Sequence, residues 1–316
     1  MKIKKEYAIL LFIIAVLVYY IASERGDRTH YQLPEVRKIQ KADISKIDIR
    51  KNGSDVVLTR EDGDWLVGRD RYPASDSRVE KIIDGITGLK LTAMVSESKN
   101  YPLYELDKAH RIEVEAYSGD RLLLKLEIGK PASSYRHTFV LLGDDYRVYH
   151  ADGNLKNEFN KTVSDLRDRV VMKFSDEIME LTLKKGDDTL TIERETAPVS
   201  ADTTSQEKGK PEQQGPAGWI IPGGKPVKQK EVDELVSTLS KLECDAFIEG
   251  KGKDDFTSPV YTVTLKGADT YSLSLFQKKD NQFPAVSSQS DYPFLLSEWK
   301  AGRIMKDLNS LTEEKK

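Results

Sequence analysis

The second half of this chain repeats the first, nearly position for position. Asp43–Arg60 aligns without a gap on Glu177–Arg194: Ile47, Ile49, Val56, Leu58 and Arg60 fall on Leu181, Leu183, Leu190, Ile192 and Arg194. Trp65-Leu66-Val67 corresponds to Trp219-Ile220-Ile221. Pro73, Val79, Ile82, Ile83, Ile86, Leu89, Ala93 and Val95 then match Pro226, Val232, Leu235, Val236, Leu239, Leu242, Ala246 and Ile248 at one constant offset. Further on, Val114, Asp120, Leu122, Leu124 and Leu126 match Val263, Asp269, Tyr271, Leu273 and Leu275. Apolar positions recurring in phase through both strands and helices mark one supersecondary unit used twice. Trp65 and Trp219 take the role of core anchors, one per unit.

The period of each stretch gives its element. Val79, Ile82, Ile83, Ile86 and Leu89 line one face of a helix running from Asp76 to about Lys90. Around it, Ile47/Ile49, Val56/Leu58, Arg111–Ala116 and Leu122–Ile128 alternate as half-buried strands do, and Asn52-Gly53 is a hairpin signal. Leu155–Arg169 and Ser297–Leu311 are predicted to be closing helices. The fold class expected is α+β: an N-terminal transmembrane helix followed by two tandem repeated modules, each an antiparallel sheet with packed helices. The boundaries are 1–28 for a cytoplasmic tip and anchor, 29–42 for a stalk, 43–173 and 174–316 for the modules. The second module carries an insertion at about 196–218, rich in Pro, Ser, Gln, Lys and Gly, a composition that buries too little apolar area to fold.

The anchor reading rests on Tyr7–Ala22, an uncharged run behind Lys2, Lys4 and Lys5. A spanning helix needs roughly 17–25 apolar residues, so this run is slightly short. The lysines place its start in the cytoplasm by the positive-inside rule. The expected location is therefore a single-pass protein of the bacterial inner membrane with its bulk outside the cytoplasm. A cleaved signal peptide is the competing reading; Tyr20, at position −3 of a cut after Ala22, is too bulky for the usual small-residue site.

Composition narrows the function. The 49 Lys and Arg nearly balance the 52 Asp and Glu for a net charge of −3, which argues against nucleic-acid binding. The single cysteine, Cys244, rules out an internal disulfide, and it stands where the first unit has Leu91, the place of a small buried apolar residue. His30, His110, His137 and His150 form no metal-binding spacing, although His137 and His150 lie near paired strands. No nucleophile elbow and no phosphate loop occurs, and Ser96-Glu97-Ser98-Lys99 lacks its companion motifs. No catalytic residue, metal or cofactor is therefore expected. Asp165-Leu166-Arg167-Asp168-Arg169 sits at the junction of the units, and Asp165, Arg167, Asp168 and Arg169 suggest an inter-module clamp, with Asp165 and Arg169 paired across a helical turn. Tyr101, Tyr104 and Tyr135 are candidate ligand-contact aromatics, or equally packing residues at strand edges.

The order of features resembles a bacterial family known as domain of unknown function 4340. The resemblance is carried by the Trp65 strand, Tyr72-Pro73, Tyr104-Glu105-Leu106-Asp107, Ile128-Gly129, Val148-Tyr149 and Leu166-Arg167-Asp168-Arg169. This chain departs from the family pattern with Glu105 where glycine is usual and Ala109 where proline is frequent. The resemblance implies membrane-anchored envelope proteins encoded beside ABC-type transport systems of the gliding-motility kind, with no established enzymatic activity. The expected function is a non-enzymatic accessory or scaffold protein of such a system. Its partners would be the inner membrane and an ABC transporter permease or another envelope protein. The alternative is a periplasmic glycan- or lipid-binding module.

Overall fold

The computed structural model describes residues 12–20, 31–195, 218–223 and 225–312. The chain divides into two compact units, Met1–Arg167 and Asp168–Lys316, with the cut inside the Leu166–Arg169 stretch. In the first unit the strands are β1 (Lys46–Lys51), β2 (Ser54–Glu61), β3 (Asp64–Val67), β4 (Tyr72–Pro73), β5 (Leu91–Ser96), β6 (Ile112–Ser118), β7 (Arg121–Pro131), β8 (His137–Leu142) and β9 (Val148–Asp152). They form one sheet in the order β4-β3-β2-β1-β6-β7-β8-β9-β5.

The second unit begins with β10 (Val170–Lys173), which pairs with β15 (Lys241–Glu243) in a two-stranded sheet. Its main strands are β11 (Glu180–Lys185), β12 (Asp188–Arg194), β13 (Trp219–Ile221), β14 (Lys225–Pro226), β16 (Ala246–Phe247), β17 (Tyr261–Lys266), β18 (Thr270–Leu275), β19 (Gln282–Ser287) and β20 (Phe294–Ser297). Their order, β14-β13-β12-β11-β17-β18-β19-β20-β16, is that of the first sheet strand for strand. Every pairing within these two sheets is antiparallel.

Local chemistry sets the strand ends. Asn52 and Gly53 both have positive φ, and Lys51 pairs with Ser54 across that two-residue turn. Pro73 and Pro226 sit on edge strands, where no ladder donor is missed. One face of each sheet is apolar: Ile47, Leu58, Val67, Val114 and Leu126 are fully buried in one core, and Leu181, Leu183, Ile192, Leu273 and Leu275 in the other. Against these faces lie α1 (Asp76–Thr87) and, in the second unit, the helix Gln229–Leu239. The first buries Val79, Ile82, Ile83 and Ile86; the second buries Val232, Leu235 and Leu239. Each fully buried aliphatic side chain contributes about 1.5–3 kcal/mol, so each helix is held by its stripe rather than by its caps.

Three expectations are corrected here. The α+β class gives way to a mostly β protein, because strands hold 40% of the described residues against 23% in helices. Among the described residues no helix is long and apolar enough to cross a membrane, so the transmembrane helix and the single-pass inner-membrane location are not supported. The helix at 12–20 is short and exposed; the other residues expected to form the anchor lie outside the described residues. The helix expected over Leu155–Arg169 is instead two short helices, α2 (Leu155–Phe159) and α3 (Val163–Leu166). The break follows from Thr162, whose hydroxyl accepts from the Asp165 backbone N–H while Asp165 accepts from the Thr162 N–H, a capping box that starts a new helix. The insertion expected at about 196–218 falls, apart from Gly218, outside the described residues. The helix Gln229–Leu239 is α4, and α5 is Glu298–Ile304.

Candidate functional site

Strand alternation that buries Ile47, Ile49, Val114 and Leu126 turns their neighbours to the opposite face of the first sheet. There Asp48 stands across from Glu115, Arg50 from Glu113, Glu113 from Glu127, and Glu115 from Lys125. Carboxylates facing carboxylates repel, and cations at their flanks offset this. Lys46 Nζ donates to Asp48 Oδ2 at 2.9 Å, and Arg50 Nη2 donates to Glu115 Oε2 at 2.7 Å. The Tyr117 hydroxyl also donates to Glu115 Oε2 at 2.7 Å, and that bond, followed by Arg50, holds the Glu115 carboxyl below its usual range. Glu127 behaves oppositely. Burial pushes its carboxyl up, and the Arg111 guanidinium, 3.0 Å from Oε2 but not aimed at it, only partly counters this. Asp48 is 8% exposed, and its Oδ1 accepts no hydrogen bond. Between β6 and β7 the hollow lined by Arg111, Glu113, Glu115, Lys125 and Glu127 has a volume of about 240 Å³. That is below the roughly 300 Å³ at which small-molecule pockets begin, so this face offers a charged surface rather than a pocket.

Toward β8 and β9 the same face becomes apolar. Leu141 and Val148 pack with Leu106, Val95, Tyr101, Tyr104 and Phe139 in a small second core. Tyr104 lies 4.9 Å from Phe139, Phe139 lies 4.8 Å from His150, and His150 stacks on His137 at 5.4 Å. His150 Nε2 is buried with no hydrogen-bond partner, and burial, followed by His137, pulls its pKa down. Burial and the neighbouring imidazole thus both disfavour its charged form. The segment 97–110 covers this patch, and two features fix it there. A Cβ on Gly129 would stand 2.2 Å from the Tyr104 carbonyl oxygen, so glycine is needed for the backbone to approach. Glu105 sits in the left-handed region at φ 56°, where a side chain is strained and glycine is favoured. Its carboxylate accepts from Lys156, which holds it below the usual range. Asp107 closes the loop by pairing with His110 Nδ1 at 2.8 Å.

The residues singled out in the sequence fall as follows. Tyr101 and Tyr104 are half-buried in that second core, and the Tyr101 hydroxyl donates to the Tyr146 carbonyl at 3.2 Å. Tyr135 is exposed at a turn with φ 56° and is not among the residues of that core. Trp65 and Trp219 are buried, and the Trp219 indole donates to Asp233 Oδ1 at 2.8 Å. Of the suggested clamp, Arg167 is buried and lies 3.6 Å over the Tyr72 ring, and it bridges to Ala74. Asp168 accepts from the Val170 N–H, and the Arg169 carbonyl accepts from the Cys244 N–H. The helix ends at Leu166, before Arg169, so Asp165 and Arg169 are not one turn apart on a single helix. Cys244 is buried, with its thiol pushed up to about 11 by that burial. No group of three or more His, Cys, Asp or Glu among the described residues is placed to hold a metal ion.

Reading the sequence alone missed the charged ladder. Its signal was present in Glu113, Glu115, Lys125 and Glu127, charges at alternate positions of two strands, but each strand alone looks like an ordinary solvated face. By strand register the same places in the second unit hold Thr262, Thr264, Ser272 and Ser274, and Thr182 stands in the place of Asp48. Across more than half of the chain, residues 65–263, the sequence matches the family described as Domain of unknown function (DUF4340). No curated protein and no solved structure matches.

Proposed function

The chain belongs to the family of Domain of unknown function (DUF4340), and we propose that it serves as a non-enzymatic accessory subunit of an ABC-type transport system. The surface offered to the transporter is the charged outer face of the first sheet together with the segment 97–110. One observation carries this reading. That face is a broad ladder of charges of both signs on three adjacent strands, too shallow for a small substrate. A fixed pattern of both signs selects a partner of complementary pattern and excludes others, which is the use of charge at protein interfaces. The charged groups are also largely committed to one another, as Arg50 is to Glu115 and Lys125 to Asp144, which suits recognition more than proton transfer.

The test is affinity recovery of the tagged full-length chain from its native cells, with permease and ATPase subunits quantified by mass spectrometry. Recovery of both subunits in near-stoichiometric amounts is expected. The double variant Arg50→Gln, Lys125→Gln should lower it at least about tenfold, the scale of losing two interface charges, while far-UV circular dichroism shows the sheet still folded. Absence of transporter subunits, or full recovery with the double variant, would overturn the reading.

A further inference from the structure

Trp299 is 67% exposed, whereas Trp65 and Trp219 are buried. It stands on α5, which buries only Ala301 and Ile304. The short helix α2 follows the equivalent strand of the first unit, and its one aromatic residue, Phe159, is fully buried. The fold therefore does not require an exposed indole at this place, and leaving one in water forgoes a burial that would be favourable. Beside Trp299 lies a cleft of about 330 Å³ lined by Ser237, Thr238, Lys241, Glu243, Lys300 and Arg303. That volume is within the range of small-ligand sites.

The lining is organised. Arg303 lies 5.1 Å over the indole ring and donates to Thr238 Oγ1 at 3.0 Å, which braces both side chains. Lys300 is held by the Glu243 carbonyl at 2.8 Å and by Asp245 at 2.9 Å. Three cations against two carboxylates, Glu243 in the lining and Asp245 paired with Lys300, leave the cleft a net positive balance. Hydroxyls from Ser237 and Thr238, the carboxylate of Glu243 and the aromatic surface complete it.

We propose that this cleft binds an acidic carbohydrate. A sugar ring has an apolar C–H face that stacks on an indole and hydroxyls that pair with Ser, Thr and Glu side chains. Its carboxylate meets the guanidinium and ammonium groups. A bare phosphate would leave the indole unused, and a neutral apolar ligand would leave Lys241 and Arg303 unused. The site lies wholly within the second unit and does not depend on the transport reading.

The experiment is a glycan array carrying acidic and neutral oligosaccharides, probed with the full chain, Trp299→Ala and Lys241→Glu. Binding confined to acidic glycans is expected, lost at least about tenfold in Trp299→Ala, as for an aromatic hot spot. Lys241→Glu, which keeps the indole, should also lose it. Unchanged melting temperatures would show that both variants fold. Three results would overturn the proposal: no acidic glycan bound above the Trp299→Ala background, equal binding of neutral glycans, or parent-only binding to phosphatidylglycerol vesicles. A fourth is a concentration-dependent dimer that Trp299→Ala abolishes, which would make Trp299 a self-association contact.

Discussion

The two units share one frame and differ on one face. On the inner side, Ile47, Ile49, Val114 and Leu126 of the first sheet are answered, in strand register, by Leu181, Leu183, Val263 and Leu273 of the second, all buried. On the outer side, Asp48, Glu113, Glu115 and Lys125 are answered by Thr182, Thr262, Thr264 and Ser272, while the charge of Arg50 is kept in Lys184. In the second unit hydroxyls face each other, as Thr182 Oγ1 does Thr191 Oγ1 at 3.4 Å. Packing density restricts what an inner face can hold, whereas an outer face is restricted only by β propensity and partner. Threonine satisfies propensity alone. A ladder with Asp48 opposite Glu115 satisfies it poorly, which is a reason to assign that ladder a partner.

The largest expected break in the comparison is at the tryptophans. Trp219→Ala and Trp65→Ala should each cost about 3–5 kcal/mol by denaturant titration. Trp219 should cost the more, because it also loses the Asp233 bond and the Arg194 guanidinium 4.2 Å over its ring. A cost under about 1 kcal/mol at either site would end the equivalence of the units.

Next is Gly129→Ala, which forces a Cβ against the Tyr104 carbonyl. A loss of about 1–3 kcal/mol is expected, with faster hydrogen exchange confined to 97–110; uniform exchange across the unit would show that the segment is not held at this point.

Putting the second unit's residue into the first sharpens the comparison further. Tyr149 is fully buried, its hydroxyl donates to Asp145 Oδ2 at 2.7 Å, and Asp145 is also gripped by Arg147 at 2.7 Å. Phe294 is its counterpart in the pairing with the neighbouring strands. Tyr149→Phe should lose about 1–1.5 kcal/mol. If it loses nothing, the Asp145 turn stands without the hydroxyl.

The smallest expected effect is at Glu127. Its folded pKa is raised by burial, so the folded state binds this proton more tightly than the unfolded state. The resulting penalty is present above the folded pKa and is relieved as the pH falls toward the ordinary glutamate value. Glu115 has the opposite sign: its stabilisation is present above the ordinary value and is lost as the pH falls through its lowered one. Glu127→Gln should therefore raise stability at pH 7 by less than about 1 kcal/mol and remove the gain on mild acidification. A loss of stability at pH 7 would show that Arg111 matters more to Glu127 than burial does.

What was legible in the sequence was the inner face. Val79, Ile82, Ile83 and Ile86 announce their helix by spacing, and Asn52-Gly53 announces its hairpin, because burial and backbone geometry act on single residues. The balance of helix and strand was misjudged at Leu155–Arg169, where Thr162 and Asp165 restart the helix through a capping box that periodicity does not display. The outer ladder was illegible for another reason. Asp48, Glu115 and Lys125 are distant in sequence, and only strand order makes them neighbours. Glu105, a departure at a position where glycine is usual, did mark a left-handed residue at the edge of the site. Trp299 gave no periodic signal, since its significance is its exposure.

The most direct measurement is hydrogen exchange by mass spectrometry on the full chain, alone and mixed with the permease and ATPase subunits of the proposed transport system. The account predicts slowed exchange on β1, β6 and β7 and in the segment 97–110, with the threonine-lined strands β11, β17 and β18 unchanged. Protection confined to the second unit, or none in either, would contradict the assignment of the charged face as the partner surface.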